Sequence, residues 1–207
     1  MVFAMDFSAW NCFTADEKVA ARNELKAFLA DLEATHQAKE GSYAFYDCNG
    51  AKGDLILWIL GPSLEYLAQV ERKFRRLAIA SVLVQTYSYT SVTEVSAYVK
   101  AKLDTEEVNK KLYPHVPRDK YICFYNMTKK RDGADNWFML PQQERGALMR
   151  SHGELGKTYL DVLSEYTTGG VGLDDWEWGI TIFSNDDIQF KKIVYDMRFE
   201  VASAKYG

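Results

Sequence analysis

The chain reads as an α+β protein built from two tandem ferredoxin-like halves, each β-α-β-β-α-β. Two observations predict this. Strand-like and helix-like segments follow one another in the same order in both halves, and two stretches of one half match stretches of the other in place. Gly-Ser-Tyr-Ala-Phe-Tyr-Asp (41–47) corresponds to Gly-Gly-Val-Gly-Leu-Asp-Asp (169–175). Leu-Trp-Ile-Leu-Gly-Pro-Ser-Leu-Glu-Tyr (57–66) corresponds to the run opened by Ile-Thr-Ile-Phe-Ser-Asn (180–185). One such half is a sheet with helices on a single face, so its other face needs a cover, and the duplicate is an obvious one. The expected product is a pseudo-symmetric α+β barrel within one chain, divided into residues 1–93, a connecting segment 94–120, and residues 121–207.

In the first half, Phe7 to Phe13 reads as a strand. Thr14 with Glu17 three residues later forms a capping box that opens a helix to about Gln37. Strands are expected at Tyr43–Tyr46 and Leu55–Leu60, then a helix opened by Gly61-Pro62-Ser63 that reaches Arg76. Val82 to Val92 is β-branched and aromatic and reads as one long strand. The connecting segment is rich in Lys and Glu and holds Pro114 and Pro117, which suits a helix followed by an extended crossing. In the second half, Tyr121–Met127 is a strand, with Tyr121, Cys123, Tyr125 and Met127 on one face and Ile122 and Phe124 on the other. A helix is expected from Pro141 to Ser164, with Pro141 tolerated in the first turn. Strands at Val171–Leu173 and Glu177–Phe183 follow, then a helix from Asn185-Asp186 to Met197 and a last strand over Arg198–Ala204.

Bulk properties exclude several classes. With 207 residues, 47% apolar and 26% charged, the chain can bury a large core. A net charge of -4 lacks the basic field that nucleic acid binding needs. The longest apolar run, Leu55 to Leu60, is strand-sized, so no membrane span is expected. The start, Met-Val-Phe-Ala-Met-Asp-Phe, carries no basic region followed by an apolar core, so no signal peptide is expected. Three cysteines without a CxxC spacing fit a reducing, cytoplasmic setting. Aromatic side chains are abundant (13 Tyr, 11 Phe, 5 Trp) and serve equally for cores, interfaces or a flat cofactor slot.

Chemistry concentrates after the connecting segment. Only three histidines occur, and His152 lies in the most distinctive run, Asn136-Trp137-Phe138-Met139-Leu140-Pro141 through Met149-Arg150-Ser151-His152-Gly153. A lone histidine on an amphipathic helix is most often a packing or helix-end residue, yet neutral imidazole is also the usual proximal ligand of haem iron. Lys129-Lys130-Arg131, just past a Tyr-rich strand, suits an anion, although basic clusters are more often solvated loops.

Together, Tyr125-Asn-Met-Thr-Lys-Lys-Arg-Asp-Gly-Ala-Asp-Asn-Trp-Phe-Met-Leu-Pro141, Met-Arg-Ser-His-Gly (149–153), Gly-Leu-Asp-Asp-Trp-Glu-Trp-Gly (172–179) and Phe190-Lys-Lys-Ile-Val-Tyr-Asp-Met-Arg-Phe-Glu-Val-Ala-Ser-Ala-Lys-Tyr206 resemble the chlorite dismutase-like superfamily. The nearest branch is that of the peroxide-dependent coproheme decarboxylases, which complete haem synthesis in many Gram-positive bacteria. The resemblance is dense from Lys110 to Tyr206 and looser before it. It implies a homopentamer and an iron porphyrin, coproheme as substrate or haem b. His152 falls on the Arg-Ser-His-Gly motif, whose histidine ligates the iron. Tyr125 matches the tyrosine that is oxidised to a radical, and Lys129 a lysine close to a reactive propionate. Lys111, Arg198 and Ser203 match propionate-binding positions, and Trp137 matches a tryptophan beside the pocket. The implied reaction uses hydrogen peroxide: Tyr125 passes an oxidising equivalent to each of two propionates, which lose carbon dioxide and leave vinyl groups.

Departures accompany the match. Glu165 stands thirteen residues after His152, where the decarboxylases have Gln and chlorite dismutases Arg, so an oxyanion loses its cationic donor. The resemblance then implies for Glu165 the role of an acid or base toward peroxide, although its ionised form would repel hydroperoxide. Asn126 stands for the usual Pro, Phe138 for Tyr, and Lys111 for Arg, which turns a bidentate contact into a point charge. Two further readings follow: a haem-binding relative with weak peroxidase or haem-carrier activity and no chlorite dismutation, and a non-catalytic oligomer with a vestigial site.

Overall fold

The computed structural model describes residues 1–50, 52–98 and 104–207. It is an α+β fold of two compact units, residues 1–88 with 114–116, and 89–113 with 117–207. Each holds a four-stranded antiparallel sheet. No helix among the described residues is long and apolar enough to cross a membrane.

The first unit starts with β1 (Val2–Met5) rather than with a strand at Phe7. Asp6 accepts the Ala9 N–H at 2.9 Å and caps α1 (Phe7–Cys12), so the aromatic residues expected to alternate instead follow helical spacing, with Trp10 packed on Phe13. The capping box is present: Thr14 Oγ1 accepts from Glu17 N at 3.2 Å and Glu17 accepts from Thr14 N at 2.7 Å, opening α2 (Ala15–Gln37). Then come β2 (Ser42–Asp47), β3 (Leu55–Leu60) and α3 (Leu64–Arg75), the last capped by Ser63. A 3₁₀ turn at Ala78–Val82 precedes β4 (Leu83–Tyr87). The sheet order is β2-β3-β1-β4, that of a ferredoxin-like half. Phe28 and Leu32 of α2 and Val70 and Phe74 of α3 close over Phe3 and Leu57 on one face.

The strand expected over Val82–Val92 is two strands in two sheets. After β4 the chain leaves the first unit, and β5 (Val92–Thr93) pairs with the second sheet. Polar side chains make the transfer: Thr90 N donates to Asp174 at 3.0 Å and Ser91 Oγ to Thr168 Oγ1 at 2.7 Å. Gly179 is required here, because a Cβ would lie 2.4 Å from the Tyr89 ring. The helix expected in the connecting segment is α4 (Thr105–Leu112), capped by Asp104. The start of that segment, residues 99–103, lies outside the described residues.

In the second unit β6 (Tyr121–Met127) alternates as its sequence implies. A hairpin, β7 (Arg131–Asp132) and β8 (Asp135–Asn136), turns at Gly133, whose φ of +51° favours glycine. A 3₁₀ turn (Trp137–Met139) leads into α5 (Gln142–Lys157). That helix does not reach Ser164. Thr158 Oγ1 donates to the Leu155 carbonyl at 2.7 Å at its end, and Ser164 begins β9 (Ser164–Gly169). No strand exists at Val171–Leu173, which is a turn with Gly172 at φ +79°. The counterpart of β2 is therefore β9, not the 169–175 stretch matched to it. Then follow β10 (Trp178–Ser184), α6 (Ile188–Met197) and α7 (Val201–Ala204). A helix thus replaces the last expected strand, because Glu200 accepts the Ala202 N–H at 2.9 Å and nucleates a turn. The sheet order β5-β9-β10-β6 regains its fourth strand at the opposite edge. Ile180 and Ile182 of β10 pack beneath Ile193 of α6.

Core packing and capping differ in what they contribute. Ile182→Ala, at 1% exposure, should cost about 3 kcal/mol by cavity formation. Thr14→Ala should cost about 1 kcal/mol through loss of the cap. Urea midpoints at unchanged slope measure both, and equal losses for the two variants would contradict the assigned core.

Candidate functional site

The candidate site lies in the second unit, on the helix-facing side of its sheet. Register places the side chains. Tyr125 on β6 pairs with Ile180, and Glu165 on β9 pairs with Ile182, so both flank β10 on one face, with Thr167 opposite Ile180. The β10 isoleucines between them are buried, whereas Tyr125, Glu165 and Thr167 are open. The helix-facing positions of β9, Glu165 and Thr167, are polar where a core strand would be apolar.

His152 is carried by α5, which packs against α6 and α7. Gly156 meets Met197 of α6, while a Cβ on Gly153 would meet nothing within 4 Å. His152 Nδ1 lies 3.5 Å from both Ser203 Oγ and Glu200 Oε2. Its Nε2 has no hydrogen-bond partner among the described residues. Glu200 is buried; one oxygen holds the α7 cap and faces His152, and Oε1 has no partner. Beside it Lys129, also buried, donates from Nζ to the Ala202 carbonyl at 2.8 Å and sits 5.2 Å from the Trp137 ring centroid. Burial pulls the Lys129 ammonium below the ordinary lysine value, against the raising pull of Glu200 and Glu177. Glu177 accepts the Lys129 backbone N–H at 2.8 Å and pairs with the Arg131 guanidinium. Trp137 and Tyr206 close the cluster edge-on.

Across the strip, burial pushes the Tyr125 phenol up to about 12, with the Glu165 charge adding to it. Its hydroxyl has no hydrogen-bond partner among the described residues. Glu165 receives a hydrogen bond from Thr167 Oγ1 at 3.3 Å. Its carboxyl is raised above the ordinary range by burial, opposed by His152 and Thr167. The His152 charge opposes the rise at Glu165, and the Glu165 charge adds to the rise at Tyr125.

The structure thus brings His152, Ser203, Lys129 and Trp137 together, while Tyr125 and Glu165 lie on the sheet of the same unit. Lys111, in the last turn of α4, and Arg198, at the end of α6, are both exposed. Neither forms a hydrogen bond or ion pair with the others among the described residues, and Arg198 lies over the Tyr195 ring at 5.9 Å. Sequence reasoning misses Glu200 and Glu177. Glu200 falls inside a run with strand character; its only local signal is an acidic residue before the short Val-Ala-Ser-Ala turn. Among the described residues no group of three or more His, Cys, Asp or Glu side chains could hold a metal ion. A single imidazole with a free Nε2 suits iron already held by a macrocycle rather than a bare ion.

The chlorite dismutase family model matches residues 18–207, and the chain belongs to that family. A haem-binding protein from Thermus thermophilus is 42% identical, with a TM-score of 0.95 over 100% of this chain and 84% of that one. The imidazole complex of chlorite dismutase from Candidatus Nitrospira defluvii is 18% identical, with a TM-score of 0.76 over 99% of this chain and 82% of the other. At that identity the likeness concerns the fold.

Two variants probe the electrostatics. Lys129→Met leaves the Ala202 carbonyl and two carboxylates without their buried cation, and should lower stability by about 2 kcal/mol in urea unfolding. Because the Glu165 pKa is raised on folding, its stabilising contribution exists below the unfolded value and is lost as pH rises through the folded one. Glu165→Gln should therefore raise the melting temperature near pH 7, and the gain should vanish below about pH 4. Equal melting at both pH values would show the carboxylate to be well hydrated.

Proposed function

We propose that the second unit binds an iron porphyrin between α5 and the open strip of its sheet. On this reading the protein is a peroxide-dependent oxidoreductase that decarboxylates two propionates of coproheme to give haem b. The observation that carries the reading is the free Nε2 of His152 on α5, in the unit whose helix-side sheet face exposes an unpartnered phenol, Tyr125, and the Glu165 carboxyl. The residues present fit such a ligand: one imidazole donor, a buried carboxylate behind it, and open space beside Gly153.

The bound iron porphyrin supplies the redox chemistry with peroxide; the chain supplies position and protons. With Glu200 and Ser203 on the Nδ1 side, a proton on Nδ1 would be directed toward the carboxylate, and Nε2 would be the atom to hold the iron. Glu200 in turn is fixed by the α7 cap, and α7 is tied down by Lys129. On the other side, Tyr125 keeps its proton to about pH 12, so it meets an oxidant as a neutral phenol and must release a proton with an electron. Glu165, the charged neighbour that raises it, is the group positioned to take a proton at its carboxylate or return one to peroxide. Trp137 supports Lys129 from within the core. Lys111, Arg198 and Ser203 remain the propionate contacts of this reading. The homopentamer and cytoplasmic setting implied by the resemblance belong to it as well, and sedimentation tests the former.

A second reading, a haem-binding protein with peroxidase or carrier activity, is favoured by one observation. The Lys129 ammonium is already committed to the Ala202 carbonyl beneath Trp137, and is not offered to a propionate.

Titration of the protein with ferric coproheme, then peroxide, separates the readings. Stepwise loss of two carboxyl groups by mass spectrometry is expected, and Tyr125→Phe should abolish it while leaving binding intact. Porphyrin bleaching without mass change would overturn decarboxylation in favour of the second reading. No Soret shift on titration would leave only a structural oligomer. His152→Ala should change the iron spectrum, and an unaltered spectrum would remove His152 as the ligand.

A further inference from the structure

Arg145 lies in the first half of α5 and is half-buried; its Nε is sealed from solvent and has no hydrogen-bond partner among the described residues. No carboxylate pairs with its guanidinium among the described residues. A buried N–H without a partner costs the hydration it has lost. Its place near the positive end of α5 compounds the cost, since the helix dipole disfavours a cation there.

Position indicates what would complete it. Arg145, Met149 and His152 are spaced i, i+4, i+7 and share one helix face. Met149 packs against the Trp137–Ala202–Tyr206 cluster, so this face turns inward. Seven residues advance an α-helix by about 10 Å. That separation is comparable to the distance from the centre of a porphyrin to its peripheral carboxylates. Resting on the porphyrin reading above, we infer that Arg145 binds a carboxylate at the edge of the ligand whose iron meets His152. It thereby selects acid-bearing porphyrins and fixes which edge lies under the first half of α5. The planar fork of a guanidinium suits a carboxylate in two-point contact, which a lysine at this place would only partly reproduce.

The test uses metal-free coproporphyrin III and its tetra-amide, so iron ligation does not enter. Binding to the full chain is followed by quenching of intrinsic fluorescence for wild type, Arg145→Met and Arg145→Lys. Arg145→Met should weaken the tetra-acid about tenfold or more and leave the tetra-amide within about twofold, with Arg145→Lys in between. Loss of an unpaired buried cation should not lower the melting temperature of the unliganded Arg145→Met protein; if it does, the Arg145→Lys comparison carries the result. Tetra-acid binding by Arg145→Met equal to wild type, or an equal loss for both porphyrins, overturns the role of Arg145 alone. Failure of wild type to bind either porphyrin overturns the porphyrin reading together with it.

Discussion

One buried carboxylate organises the second unit. Glu200 holds the N–H of Ala202 and so starts a four-residue helix where the chain would otherwise continue extended. The same oxygen faces His152 Nδ1, and the adjoining carbonyl of that short helix receives the Lys129 ammonium. A carboxylate out of water is tolerable only with such partners, which makes the helix cap, the imidazole orientation and the buried lysine mutually dependent. Glu177 extends the arrangement by fixing the Lys129 backbone and Arg131, and so the start of the hairpin that leads to Trp137.

Against this polar cluster the sheet offers two different faces. Thr181 and Phe183 of β10 are buried on one side, with Tyr166 edge-on to Phe183. On the other side α6 covers only part of the sheet, over Ile182, and leaves Tyr125, Glu165 and Thr167 uncovered. None of the residues of α5 is fully buried, although Leu148 and Met149 pack against the Trp137, Ala202 and Tyr206 cluster.

Much of this was legible from local chemistry. The capping box at Thr14, the strand Leu55–Leu60 and the alternation of Tyr121–Met127 all form as read, because each is determined by near neighbours or by a two-residue period. Errors fell where a tertiary partner outweighed pattern. The Val82–Val92 run has uninterrupted β character but divides between two sheets, since Thr90 and Ser91 find polar partners in the second. Ser164–Gly169 is a strand whose helix-side residues, Glu165 and Thr167, are polar and exposed, so no apolar alternation marks it.

The amino-acid sequence by itself determined the α+β class, the tandem duplication and the run around His152, because these rest on periodicity, capping and long motifs. Tertiary structure alone decided that Glu200 stands behind that imidazole and that Lys129 is spent on the Ala202 carbonyl. It also decided that the second sheet closes with β5 in place of a strand after α6. Those outcomes depend on which distant groups share a small buried volume, and no property of the residues taken in order carries that information.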